Sequence, residues 1–217
     1  MEYQIHCLDA AKKLAPYADD LMQRSQRIMD QLVEVLPLSP MDFSLCPASH
    51  AETIPHGIGG YALSEHRVEI FFDTQRDDLL DCIERDYASV LVHEMHHAAR
   101  IGVSAPQPDT LASAVVREGL ACHFEQTMTG VVPSLFNALW DQDWRVLYQR
   151  MQPELHAPSY DMGLYLLGSQ PDVFPRYAAY WVGYNIVQEY LQTGQLSELE
   201  LVGVDSKVLI DFANGLL

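Results

Sequence analysis

Apolar positions along this chain change their period twice. Over residues 8–36 they recur at helical spacing (Leu14, Ala18, Leu21, Met22, Ile28, Met29, Leu32, Leu36) and stop before Pro37, which predicts a long amphipathic helix. Residues 41–73 behave differently. Two short β-type runs, Phe43-Ser44-Leu45 and Val68-Glu69-Ile70-Phe71-Phe72, flank the turn-rich Pro55-His56-Gly57-Ile58-Gly59-Gly60, and this predicts a small antiparallel sheet. Helical spacing then returns and predicts helices over 77–101, 109–128, 134–150, 175–192 and 206–214, with Gly102 and Gly130 as stops. The Pro- and Gly-rich stretch 153–175 reads as a long loop, of the kind that covers or lines a site. No internal repeat interrupts the pattern. The expectation is an α+β fold, mostly helical, in a single domain spanning 1–217 with room for two lobes.

Composition narrows the partners. A formal charge of -17, from 13 basic against 30 acidic residues and with no cluster of Lys or Arg, repels phosphate backbones and anionic lipid. Neither nucleic acid nor a membrane is an expected partner, and the acidic residues are most simply a solvated surface. Cys7, Cys46, Cys82 and Cys122 are scattered without a C-x-x-C pair, which suits reduced thiols. The N-terminal Met-Glu-Tyr-Gln-Ile-His lacks a basic segment followed by an apolar one, and no apolar run approaches membrane-spanning length. A soluble, cytoplasmic protein is expected.

The chemistry concentrates in the third predicted segment. Val90-Leu91-Val92-His93-Glu94-Met95-His96-His97-Ala98-Ala99 contains H-E-x-x-H among apolar residues. At about 3.6 residues per turn His93 and His97 share one helical face, so their imidazoles can reach a single zinc ion at about 2.0–2.1 Å. On the helical wheel Tyr87, Val90, Leu91, Glu94, Ala98 and Ile101 form the buried stripe, His93 and His97 lie along its margin, and His96 lies opposite and is not a ligand. Glu94 presents a carboxylate to that stripe, where burial requires a compensating cation or donor, and where a general base would sit. The next helix offers a third ligand: Glu118 lies among Leu111, Ala114, Val115, Ala121 and Cys122 on one apolar face. Two His and one Glu leave a position open for water, as in a catalytic site that takes one Zn2+ per chain. The competing reading of Glu118 is a buried ion pair with an Arg such as Arg85 or Arg100.

At these residues the chain resembles the gluzincins, zinc peptidases with H-E-x-x-H on one helix and a Glu ligand on a following one. A narrower likeness joins His93-Glu94-Met95-His96-His97, Arg117-Glu118-Gly119-Leu120-Ala121 and Tyr180-Trp181-Val182-Gly183-Tyr184, with Gly59-Gly60-Tyr61 and Phe71-Phe72-Asp73. Across 57–190 the chain is similar to the predicted Zn-dependent proteases of YjaZ type. The resemblance implies a zincin-like fold, zinc held by His93, His97 and Glu118, and a catalytic Glu94. One departure stands out: gluzincins commonly place an Asp four residues after the metal Glu to orient a ligand His, and here that position is Cys122. Glu125 and Asp86 are the candidate substitutes.

In this reading a peptide or protein substrate is hydrolysed by a zinc-activated water, with Glu94 taking its proton and returning it to the leaving amine. The developing oxyanion needs donors, and Tyr177, Tyr180 and Tyr184 lie on one predicted helix, Tyr180 and Tyr184 matching the resemblance best. The same spacing also suits tyrosines in a core. His156 is a weaker rival, His50, His56 and His66 read as solvated loop residues, and His56 beside Gly57 is placed to touch substrate if that turn folds over the metal. The strand over 68–73 is expected to accept an extended peptide by strand addition. No G-x-S-x-G elbow, phosphate loop or Cys-His nucleophile is present. The alternatives are a noncatalytic zinc-binding regulatory module and a zinc amidohydrolase acting on a non-peptide substrate.

Overall fold

The computed structural model describes residues 1–49, 54 and 56–217. The expectations for His50 and for Pro55 at the start of the turn lie outside the described residues. About half of the chain is helical, the fold is α+β, and it divides into two compact units, Met1–Val103 and Ser104–Leu217.

The first unit contains β1 (Tyr3–Cys7), α1 (Ala18–Val35), β2 (Met41–Pro47), β3 (Ile58–Ser64), β4 (Arg67–Phe72) and α2 (Leu79–Val103). The strands form one sheet in the order β1-β2-β4-β3. It is mixed rather than antiparallel: β1 pairs parallel with β2 and β2 parallel with β4, whereas β3 and β4 form an antiparallel hairpin. Parallel neighbours require a crossover, and α1 supplies it between β1 and β2. The predicted first helix accordingly starts later, at Ala18. Before it, the Asp9 carboxylate accepts from the amides of Lys13 (2.8 Å) and Leu14 (2.6 Å) and closes a turn. The expected peptide-binding strand over 68–73 is β4, which is hydrogen-bonded on both sides, while β3 is the sheet edge beside it.

Alternation along the strands puts Phe43, Leu45, Val68, Ile70 and Phe72 on one face, all 0% exposed. Each such side chain contributes roughly 1.5–3 kcal/mol on burial. Helix α2 packs on β3 and β4, and α1 packs on α2. Leu21, Ser25, Met29 and Leu32 form the buried stripe of α1. Tyr87 of α2 ties these layers together: its ring stacks on Phe72 at 5.9 Å, its hydroxyl meets Ser25 Oγ, and burial pushes its phenol pKa up. Gly102 does not stop α2, which runs on to Val103, short of Pro106.

The second unit contains α3 (Leu111–Thr129), α4 (Trp144–Met151), α5 (Ala178–Leu191), α6 (Glu198–Leu201) and α7 (Ser206–Asn214). Helix α3, predicted over 109–128, is capped by Thr110, whose hydroxyl accepts from the Ser113 amide, and ends at the predicted stop Gly130 with φ 72. The helix predicted over 134–150 is shorter. A 3-10 turn at Ser134–Phe136 precedes irregular chain, and α4 starts only where Asp143 caps the Arg145 amide at 2.9 Å. The helix predicted from 175 starts at Ala178, because Tyr177 has φ 65. Within the long loop lies a turn of π-helix, Gly163–Leu167.

The tightest packing in this unit joins α3 to α5. A Cβ added to Gly119 would stand 2.2 Å from the Gly183 carbonyl carbon, and one added to Gly183 would stand 1.9 Å from the Val115 oxygen. Only glycine at both positions permits two backbones to approach this closely. Gly119→Ala or Gly183→Ala is therefore expected to lower the unfolding free energy by about 3 kcal/mol, the upper part of the usual cost of overpacking. Gly130→Ala, where nothing lies within 4 Å of an added Cβ, should cost less despite its left-handed backbone. Urea unfolding of the three variants checks the order.

Candidate metal centre

Helix α2 carries His93, Glu94 and His97. Its 25 residues begin with Asp81 in the first turn and keep Arg100 in the last, both favourable to the helix dipole. Instead of the single stripe expected from the wheel, the helix is buried nearly all round between Leu91 and Arg100. Val90 is half-buried and Ile101 is exposed, while His96, expected on the outer side, is 1% exposed. The wheel fails here because it assumes one apolar partner surface.

His93 and His97 stand one turn apart with ring centroids 4.6 Å apart at an interplanar angle of 88°, edge to face. The rings of His96 and His97 are 6.5 Å apart at 67°. His93 and Glu94 are each 8% exposed, and His97 is half-buried. Two adjacent imidazoles sheltered from bulk water, with a carboxylate next in sequence, form a donor set that suits a borderline-soft cation such as zinc. The aliphatic stem of Glu94 lies against the backbone of β3 at Gly60.

Helix α3 carries Glu118, 5% exposed, and along it Leu111, Ala114, Val115, Ala121 and Cys122 are all buried. One partner is Arg117, whose Nε donates to Glu118 Oε1 at 3.0 Å. Burial opposes the Arg117 charge, but the charge and hydrogen bond of Glu118, with help from Tyr160, outweigh it and leave the guanidinium pKa raised. Adjacent helical residues point about 100° apart, so spacing rules do not anticipate this pair. Only the reach of an arginine side chain makes it. A carboxylate offers about four lone pairs on two oxygens, so accepting from Arg117 and binding a cation are compatible.

Arg85 is committed elsewhere, donating to Asp86 Oδ2 through Nε at 2.9 Å and Nη2 at 2.7 Å. Asp86 and Glu125, the candidate substitutes for the missing Asp, are 5% and 4% exposed, and Cys122 is 0% exposed. Tyr184 is a core residue of the second unit. Its hydroxyl donates to Gln126 Oε1, its ring stacks with Trp181 at 6.1 Å and lies 5.7 Å from His123, and burial above all pushes its phenol pKa up. Tyr180 is half-buried, edge-on to Tyr177 at 5.5 Å. His156 and His66 are exposed and His56 is half-buried.

A family model described as predicted Zn-dependent protease (DUF2268) matches residues 21–211. No curated protein and no solved structure matches the chain. Among the described residues no helix is long and apolar enough to cross a membrane.

Removing the Tyr184 hydroxyl takes this donor from the half-buried Gln126 amide oxygen. Tyr184→Phe is expected to cost about 1–2 kcal/mol of stability, measured by thermal or urea unfolding, with the zinc content of the protein unchanged.

Proposed function

The chain belongs to the family of predicted Zn-dependent proteases, and on that premise we propose that it is a zinc peptidase whose metal is held by His93 and His97 of α2 and Glu118 of α3, in a zincin-like arrangement with Glu94 as general base. The observation that carries this reading is the pair of imidazoles on α2, edge to face at 4.6 Å, with the buried Glu94 between them in sequence. Glu118 is the third donor because it is a buried carboxylate on the next helix, seven residues of connection away, and because the resemblance to the gluzincins implies a Glu ligand on a following helix. When bound, zinc lowers the pKa of a water and polarises a carbonyl. Glu94 takes the proton of the attacking water and later delivers it to the leaving amine. Arg117 fixes the direction of the Glu118 carboxylate.

The substrate is an extended peptide. Strand β3 is the edge of the sheet, antiparallel to β4, and its backbone lies against Glu94. Pairing along this edge uses main-chain hydrogen bonds that any sequence supplies, so specificity falls to side-chain pockets. Tyr61, on the face of β3 away from α2, and Leu63, 64% and 47% exposed, are available to them. For the oxyanion, Tyr180 and Tyr184 are the candidate donors. The commitment of the Tyr184 hydroxyl to Gln126 favours Tyr180.

Purified protein should carry about one zinc per chain, retained in Glu94→Gln and largely lost in His93→Ala, His97→Ala and Glu118→Ala, as read by elemental analysis. Cleavage of a peptide library should require the metal and disappear with chelator and in Glu94→Gln. Stoichiometric zinc in His93→Ala sinks the ligand assignment. Equal cleavage by wild type and Glu94→Gln sinks the peptidase mechanism.

A further inference from the structure

The contact between β3 and Glu94 has an unusual form. The register of the hairpin pairs Gly60 with Ile70 and puts it on the sheet face that carries Val68, Ile70 and Phe72, the face on which α2 packs. Every neighbour of Gly60 on that face has a side chain. At residue 60 the space that a side chain would fill is taken by Glu94: an ideal Cβ built on Gly60 lies 2.3 Å from Glu94 Cγ, 3.0 Å from Glu94 Cδ and 3.0 Å from Ile70 Cδ1. The preceding residue, Gly59, faces the opposite side, where an added Cβ would meet the Phe71 ring at 2.4 Å. The two glycines therefore serve different neighbours, and only Gly60 bears on α2.

We propose that Gly60 is a positioning residue for Glu94, its bare backbone forming the wall that fixes the stem of that side chain and hence the aim of the carboxylate. The inference rests on the reading of Glu94 as general base. The atom pressed against the wall is a methylene in mid-side-chain, not a mobile tip. If a methyl group occupied residue 60, Cγ would have to withdraw from 2.3 Å to the ordinary contact range beginning at 3.4 Å. It can do so only by rotating about χ1 or by a shift of the strand or helix backbone, and either movement swings the carboxylate off line. Displacements of about 1 Å at a reacting group cost on the order of 100-fold in rate. Gly60 thus ties the base to the edge that receives the substrate backbone, with no side chain intervening between the two.

A double-mutant cycle tests this without reference to activity. Gly60→Ala should lower the urea midpoint in the wild-type background, and Glu94→Ala, which removes Cγ, should restore most of that loss in the double variant. The same comparison remains decisive if Gly60→Ala alone does not fold, since the double variant should then fold. An equal loss in both backgrounds overturns the proposal. In the active protein, Gly60→Ala should reduce kcat about 100-fold with KM and zinc content near wild type. A raised KM at unchanged kcat would mean that the substitution disturbs the strand edge instead, and would also overturn it. If wild type shows no Glu94-dependent cleavage, the peptidase reading falls, and the stability cycle still decides whether Gly60 holds Glu94.

Discussion

The segment of α2 from Leu91 to Arg100 is closed to solvent on nearly every side, yet it contains two buried imidazoles, a carboxylate and a guanidinium. Burying such groups is unfavourable unless each is matched by a partner, and an unmatched charge costs far more than an unmatched dipole. Hydrophobic burial cannot explain why this helix has polar residues at its most enclosed point. The sheet beneath it does the opposite work: Phe43, Leu45, Val68, Ile70 and Phe72 are fully enclosed and ask nothing of their neighbours but shape. The unit thus combines an undemanding apolar floor with a helix whose polar groups must be satisfied in place. That combination is what a preorganised reactive site requires, because groups held by packing need no reorganisation when charge develops.

Glycine solves the geometric side of the problem in both units. The two carboxylates proposed for the site each stand next to a position that lacks a side chain. Glu94 lies in the space vacated at Gly60, and Glu118 precedes Gly119, where α3 meets α5. The Glu118-Gly119-Leu120-Ala121 and Tyr180-Trp181-Val182-Gly183-Tyr184 strings acquire a physical meaning here. Their glycines are the two sides of one helix crossing, and the crossing sets the seat of the helix that carries Glu118.

Much of this was legible in the chain. The spacing of His93 and His97, the span of α3 from its Thr110 cap to Gly130, and the helix from 206 to 214 follow from local rules. The capping box of α6, Ser197 with Glu200, was also written in local sequence, although its four residues are too short to show a period. β1 has the alternation Tyr3-Gln4-Ile5-His6-Cys7, a strand signal overshadowed by the longer helical pattern after it. The parallel pairing of β1, β2 and β4 was not legible, since strand order is decided by contacts between residues far apart in sequence. The Arg117 to Glu118 ion pair was missed for a different reason: it depends on how a long side chain bends back, and spacing carries no information about that.

The Gly119 and Gly183 contact also restricts how the protein can change. Most packing faults can be relieved by trimming the residue on the other side, but neither partner here has anything left to trim. A substitution at one glycine has no reciprocal suppressor at the other, and rescue must come from altering the path of a whole helix. Each position is therefore held to glycine for as long as the two helices keep this crossing.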